Sequence, residues 1–269
     1  MKKLSLALAA IILMVTATSC GNDEPKDVVW MMNTQLINHI TNSTSGDFES
    51  ASLGGIYVEL NTTKMTANVA YAVAIGSDEV VFNLSNVPMT SDYQRNGYLI
   101  RSNTTITSGN HTLAGLDLFV DMNLNEETLG HWTEGTIDGK YELNGIVPII
   151  AFKGATSSIV LPDGNSLTDK NGIFTIEVLD FTTNNRNASI SIKGINSVEV
   201  LNKGLTYEGL KVEATSEGLH ITSDKTVYPL GETKYQLNEV DVTIDVFAHS
   251  MSAILDIENV AKLTTYGAL

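Results

Sequence analysis

The segment His131-Trp132-Thr133-Glu134 gathers an imidazole, an indole and a carboxylate within four residues, and it is the first place to look for a ligand. A loop that simply packs its tryptophan is the competing reading. The other histidines, His39, His111, His220 and His249, stand far apart, and no two of the five lie at a metal-ligand spacing. No metal centre is expected. Asp117 and Asp121 are evenly spaced, so on a strand both point to one face. Paired carboxylates serve glycoside hydrolysis only at a defined separation in a cleft. Here Leu116, Leu118 and Val120 claim the opposite face for the core, leaving the carboxylates on the solvated one. The run Asp163-Gly164-Asn165-Ser166-Leu167-Thr168-Asp169 begins like a calcium loop but puts Leu167 where an oxygen is needed, which favours a turn. Ser108-Gly109-Asn110-His111 lacks the context of a nucleophile elbow, and no glycine-rich phosphate loop is present. Tyr57, Tyr93, Tyr98 and Tyr141 could join Trp132 in a sugar-binding platform, or be ordinary strand aromatics. No catalytic constellation and no cofactor motif emerges, so the expectation is binding rather than turnover.

The single cysteine, Cys20, cannot form an internal disulfide. Lys2 and Lys3 precede an uncharged apolar run from Leu4 to Val15, too short for a membrane span of about 20 residues. Small residues then lead to Cys20. That order resembles a bacterial lipoprotein signal, in which the thiol is acylated and the chain is cut before it. Ala17 departs from the leucine usual in such a signal. The resemblance implies a signal peptide over 1–19, lipid on Cys20 and a membrane as partner. The formal net charge is −15, and loss of Lys2 and Lys3 takes the mature chain to −17. Such a field repels nucleic acid and anionic lipid surfaces. Gly21 to Asp27, with Asp23 and Glu24, resembles the acidic tether of Bacteroides-type surface lipoproteins. That implies an outer-membrane protein facing the cell exterior, the periplasmic face being the alternative.

The elements that must position these groups are mostly strands. One N-terminal helix is predicted: Asp27 caps it, and Val28, Val29, Met32, Leu36 and Ile40 recur at helical spacing, within a tether-and-helix region over 20–45. Packing onto the following domain is favoured over lying on a membrane, because basic residues are scarce in it. Short apolar or alternating runs follow at 56–60, 67–75, 79–87, 97–101, 113–122, 135–143 and 146–152, each bounded by Gly, Asn, Asp or Ser. Pro162-Asp163-Gly164-Asn165-Ser166 is the strongest break and marks a boundary between β-domains over 46–160 and 161–269.

Past that break the pattern restarts. Ile173 to Leu179 stands where Ile56 to Leu60 stood, and Asn187 to Ile192 echoes Asn68 to Val73. Gly218 to Ser223 echoes Gly97 to Ser102, and Leu237 to Asp245 echoes Leu113 to Asp121. The fold expected is all-β: two tandem, similar antiparallel β-barrel or β-sandwich domains after one short helix. The strands reading NASISIKGI, GLHITSD and LNEVDVTIDV are similar to calycin-like (lipocalin-related) lipoprotein domains of unknown function from Bacteroides. The resemblance covers most of 173–258 and, more weakly, 56–152. It implies barrels or half-open barrels and supplies no functional residue. The segment 250–262 reads as strand or helix, which leaves closure of the second barrel open. The function expected is a surface-anchored binding or interaction module whose partner is a glycan, a small apolar ligand or a protein. An accessory subunit of a surface fibre comes next, and a glycan-processing enzyme last.

Overall fold

The computed structural model describes residues 27–122, 132–182, 185–231 and 233–269. Cys20, the lipoprotein signal and His131 lie outside the described residues. The chain divides into two compact units, passing from the first barrel to the second between Val147 and Pro148, with Gly46–Ser50 grouped with the second unit. Each is a closed, antiparallel barrel of eight strands, consistent with calycin-like domains.

The first barrel begins where the sequence predicts a helix, and the structure corrects that expectation. Strand β1 spans Val29–Asn42 and pairs antiparallel with β9 (Tyr141–Ile146), for example Ile37 with Ile146 and Ile40 with Leu143. The apolar spacing that suggested a helix runs in steps of four: Met32, Leu36, Ile40. Four is close to one helical turn, but it is also even, so the same residues share one face of a strand. Residues 36–41 are buried continuously, a run that a surface helix does not show. Asp27 caps no helix; it bonds to Lys64 and Asn61.

The other strands are β2 (Phe48–Asn61), β3 (Thr66–Ile75), β4 (Asp78–Asp92), β5 (Gly97–Ser102), β6 (Ile106–Ser108), β7 (His111–Asp121) and β8 (Trp132–Ile137). They run as an up-and-down meander, and β6 is a short arm on β7 outside the ring. Pairing of β5 with β7 and of β1 with β9 closes it. Alternation is clean in β4, where Val80, Phe82 and Leu84 are buried. A one-residue bulge then shifts the inward set to Val87 and Met89. Asn86 sits there at φ 55°, and its N–H donates to the Asn68 side chain.

Inside this barrel the core is not wholly apolar. The Tyr71 hydroxyl donates to Asn38 Oδ1 and accepts from Thr133 Oγ1 at 3.3 Å, all three side chains being buried. Burial holds the Tyr71 phenol far above its ordinary value. Two glycines make room for the group. A Cβ on Gly145 would lie 2.4 Å from Thr133 Oγ1, and one on Gly54 would lie 2.2 Å from Asn38 Nδ2.

The second barrel contains β10 (Ile149–Val160), β11 (Ser166–Thr182), β12 (Asn185–Lys193), β13 (Leu205–Ala214), β14 (Gly218–Thr222), β15 (Leu237–Asp245), β16 (Ser250–Ile257) and β17 (Ala261–Ala268). Helix α1, Glu199–Lys203, lies between β12 and β13. Pro162 to Asn165 is the tight turn of the β10–β11 hairpin, with Leu161 N–H donating to the Asn165 carbonyl at 2.9 Å. The boundary expected at 160/161 therefore falls earlier, at Val147-Pro148. The apolar run 146–152 is split: Ile146 ends the first barrel and Ile149 starts the second. Turn chemistry is the same in a hairpin as in a linker, so composition alone could not separate them. The segment 250–262 is strand, turn and strand, and β17 closes the ring by pairing with β10. A buried hydroxyl pair, Ser157 and Thr265 at 2.9 Å, lies across that seam.

The four echoes in the sequence fall on equivalent strands. Counting round each ring, β2 matches β11, β3 matches β12, β5 matches β14 and β7 matches β15. They are the second, third, fifth and sixth strands of both barrels.

Candidate functional site

Trp132 and Glu134 lie on β8, which pairs with β7 so that Trp132 faces Phe119 and Glu134 faces Asp117. Cross-strand partners share a face. Thr133 between them turns inward to Tyr71, so Trp132 and Glu134 stand on the outer wall. Trp132 is 6% exposed, and its ring stacks on Phe119 at 6.0 Å between centroids. The Arg95 guanidinium lies 4.5 Å from the Phe119 centroid and is held by Asp92 at 2.7 Å. The indole is thus committed to packing. Glu134 carries more chemical interest. Burial pushes its carboxyl up, Asp117 adds to this, and Arg101 opposes it. Arg101 Nε is bonded to Asp117 at 3.0 Å. One carboxyl is thereby biased towards its protonated form beside another that is ion-paired, a division of roles that acid–base pairs exploit. The pair stands on a convex wall and lines neither hollow described below.

The remaining candidates have structural roles. Asp163 caps its hairpin turn through Asn165 N–H. Asp169 accepts from Asn171 N–H at 2.8 Å and from Ser197 N–H and Oγ at 3.2 Å, tying β11 to the segment before α1. Tyr57 donates to Glu59, and the Lys140 ammonium lies over the Tyr141 ring. Asp121 faces Gly97 across β7 and β5. Among the described residues no group of three or more His, Cys, Asp or Glu is placed to hold a metal ion.

His111 makes a contact that spacing does not reveal. Its Nδ1 lies 2.8 Å from Asp138 in the β8–β9 turn, and its Nε2 lies 3.3 Å from Asp78 at the start of β4. One imidazole thus ties three hairpin turns of the first barrel. The hydrogen bond to Asp138 raises the His111 pKa; burial opposes this, and Asp78 reinforces it. For Asp138, burial acts upwards, yet bonds from His111 and Thr112 hold the carboxyl below its ordinary value. The contribution of His111 is therefore complete below the free-histidine value and is lost as pH rises through the raised one. His111→Gln should destabilise the first barrel by up to about 1 kcal/mol near pH 6. The deficit should shrink by pH 9. Denaturant midpoints at the two pH values check this, and an equal loss at both would exclude the charge.

One hollow is of a kind that no sequence pattern flagged. On the second barrel a cleft of about 670 Å³ is lined by Glu199, Lys203, Leu205, Thr206, Leu230 and Tyr235, among others. One wall is α1 with the start of β13. The other is a strap between β14 and β15, whose Val227 bridges to Leu237 and whose Pro229 bridges to Tyr207. Leu230 N–H donates to the Thr206 carbonyl at 2.8 Å. The buried Tyr207 ring sends its hydroxyl to the Tyr235 carbonyl, also at 2.8 Å. Tyr235 itself sits at φ 63°, a conformation that costs a bulky residue of order 1 kcal/mol. Tyr228 and Leu230 on either side of buried Pro229 are more than half exposed, at 53% and 57%. Across the cleft Glu199 and Lys203 pair at 2.7 Å. Glu199, and more weakly the Tyr235 phenol, holds the Lys203 ammonium above its ordinary value. The available signal was Tyr228-Pro229-Leu230-Gly231, two large apolar residues around a proline in a loop.

A smaller hollow of about 120 Å³ on the first barrel is lined by Glu59, Asn61, Lys64, Asn68 and others. Its polar groups are engaged with one another: Glu59 is held below its ordinary value by bonds from Asn68 and then Tyr57. Comparison of the chain with protein families, with curated proteins and with solved structures found no match.

Proposed function

We propose that this chain is an outer-membrane lipoprotein, anchored through lipid on Cys20, whose two calycin-like barrels form a ligand-binding module at the cell surface. The cleft on the second barrel carries the binding part of this reading. It is an open hollow on a hydrogen-bonded ring, of the size small ligands use. Its strap is held to the barrel beside it at Val227, at Pro229 and Leu230, and at Tyr235. The anchor and the address rest on the order of residues from Lys2 to Asp27 and on the resemblance to Bacteroides-type lipoproteins.

Ring closure bears on the second reading, a fibre subunit that accepts a partner's strand. Such a subunit needs an unpaired strand edge. Here every strand of each ring has two neighbours, and β6 is three residues long. Closure therefore favours the binding module. The enzyme reading rests on Glu134 and Asp117 alone. Assays of the purified chain with glycoside, ester and peptide substrates test it, and no turnover above background is expected. A reproducible rate that disappears in Glu134→Gln would overturn binding as the primary activity.

A further inference from the structure

We infer that the cleft between α1 and the strap of the second barrel binds an uncharged, polyhydroxylated ligand, the end or a short stretch of a neutral saccharide, against Tyr235. This names the ligand class for the site on which the binding reading rests.

Charge comes first. The mature chain stands at −17, so an anionic ligand approaches against the field of the whole protein. Among the described residues lining the cleft, the ionised side chains are Glu199 and Lys203, an exposed pair on α1 at 2.7 Å. A cation would have to displace Lys203 to gain a carboxylate, and an anion would have to displace Glu199 to gain an ammonium. Among the described lining residues, neither charge stands without its opposite.

Polarity excludes the opposite extreme. Glu199 keeps further acceptor sites, Lys203 further donors, and the Thr206 hydroxyl can both give and take. A purely apolar ligand would strip water from these groups and return no hydrogen bonds, at a cost for each. A sugar ring offers what the lining lacks. Its hydroxyls donate and accept at once, which suits a mixed set of donors and acceptors. Its C–H faces pack on an aromatic ring or an aliphatic side chain. Tyr235 and Leu230 provide those surfaces on the strap side, and Leu205 provides one below.

Preorganisation completes the case. Tyr235 is held in a left-handed conformation while its carbonyl is fixed by Tyr207, a side chain buried in the barrel. Gly204 closes α1 through its N–H to the Val200 carbonyl at 3.0 Å. The α1 segment is tied to the barrel by Asp169 on β11, which accepts from Ser197 N–H at 3.2 Å, and Leu201 of α1 is buried. Both walls are thus held without the ligand, which lowers the ordering cost of binding.

The same conformation supplies a clean test. Glycine accepts φ 63° more readily than tyrosine, so Tyr235→Gly removes the ring and leaves the carbonyl that Tyr207 needs. The full chain in a zwitterionic detergent without sugar headgroups would be titrated with an array of neutral oligosaccharides that includes maltose, cellobiose and diacetylchitobiose. Digalacturonate is the charged control. At least one neutral saccharide should bind, at least tenfold more tightly than digalacturonate, and Tyr235→Gly should weaken it at least tenfold with an unchanged melting temperature. Absence of saccharide binding, or binding indifferent to Tyr235→Gly, overturns the inference. Uptake of the neutral apolar probe N-phenylnaphthylamine, lost in Tyr235→Gly and without saccharide binding, overturns the ligand class alone. The binding reading would then stand.

Discussion

Gly54→Ala should destabilise the first barrel by about 3 kcal/mol, although it adds a single methyl group to a strand. The new Cβ would lie 2.3 Å from the Ala72 carbonyl oxygen on β3 and 2.2 Å from Asn38 Nδ2 on β1. Neither neighbour can yield cheaply. The carbonyl belongs to the β2–β3 ladder, in which Gly55 pairs with Ala72. Asn38 is fixed by the hydroxyl of Tyr71, which Thr133 also engages. Overpacking a tight core costs about 1–3 kcal/mol, and breaking a buried hydrogen bond adds a similar amount. Both tryptophans, Trp30 and Trp132, lie in this barrel, so indole fluorescence reports its unfolding selectively. The fluorescence midpoint in denaturant should fall sharply. An unchanged midpoint would show that the strands can part here without loss.

Cys20→Ser is the second large effect, and it concerns location rather than fold. Each buried methylene of an acyl chain contributes about 0.8 kcal/mol; one chain anchors only marginally, and the two or three chains of a lipoprotein together hold firmly. At a formal net charge of −15 the chain is repelled by anionic lipid, so electrostatics does not replace that contribution. In cells fed a labelled fatty acid, wild-type protein should carry the label and fractionate with membranes. The serine variant should carry none, and should be left unprocessed or released. Mass spectrometry of a mature N-terminus without acyl groups on Cys20 would refute the anchor. Loss of the label with intact barrels would separate address from architecture.

How far the fold could be read from the chain depends on what each pattern can distinguish. Strict alternation, as in Val80-Val81-Phe82-Asn83-Leu84, fits a strand and little else, and such segments lie where expected. Met32, Leu36 and Ile40 show the weakness of a four-residue repeat, which a helix and a strand satisfy equally. The partner that decides between them, β9, lies a hundred residues away in sequence. Pro162-Asp163-Gly164 misled in another way: it is a turn, as read, but one within a hairpin. Val147-Pro148, with less turn chemistry around it, is the junction. The duplication was legible because the offsets kept their order, and the matched strands take the same place in both rings.

The site was less legible than the fold. Trp132 and Glu134 are neighbours in sequence, and the ladder keeps them on one face. A line of residues cannot tell that the face is convex and that the indole is covered. The cleft draws Glu199 and Lys203 from a five-residue helix, Thr206 from a strand, and Leu230 and Tyr235 from a strap. No spacing rule joins three elements of that kind. His111, Asp78 and Asp138 are likewise joined only by the folding together of separate hairpins.

The meander order also sets a timetable. Nearly every strand pairs with its neighbour in sequence, so each hairpin can form as soon as its two strands exist. Apart from β5 with β7, which flank the short β6, the exceptions are the seams, β1 with β9 and β10 with β17. Each joins the first strand of a ring to its last. Loop-closure entropy grows only with the logarithm of the span, so the seam is a modest thermodynamic burden. Its kinetic meaning is larger. Until Ala261–Ala268 arrives, β10 and β16 each keep one free edge, and any other chain nearby can pair with it. The first ring closes on Tyr141–Ile146, before the second ring's strands begin. A chain that emerges from its N-terminus can therefore seal one edge-free domain while the other is still being made. At no stage need both rings be open at once.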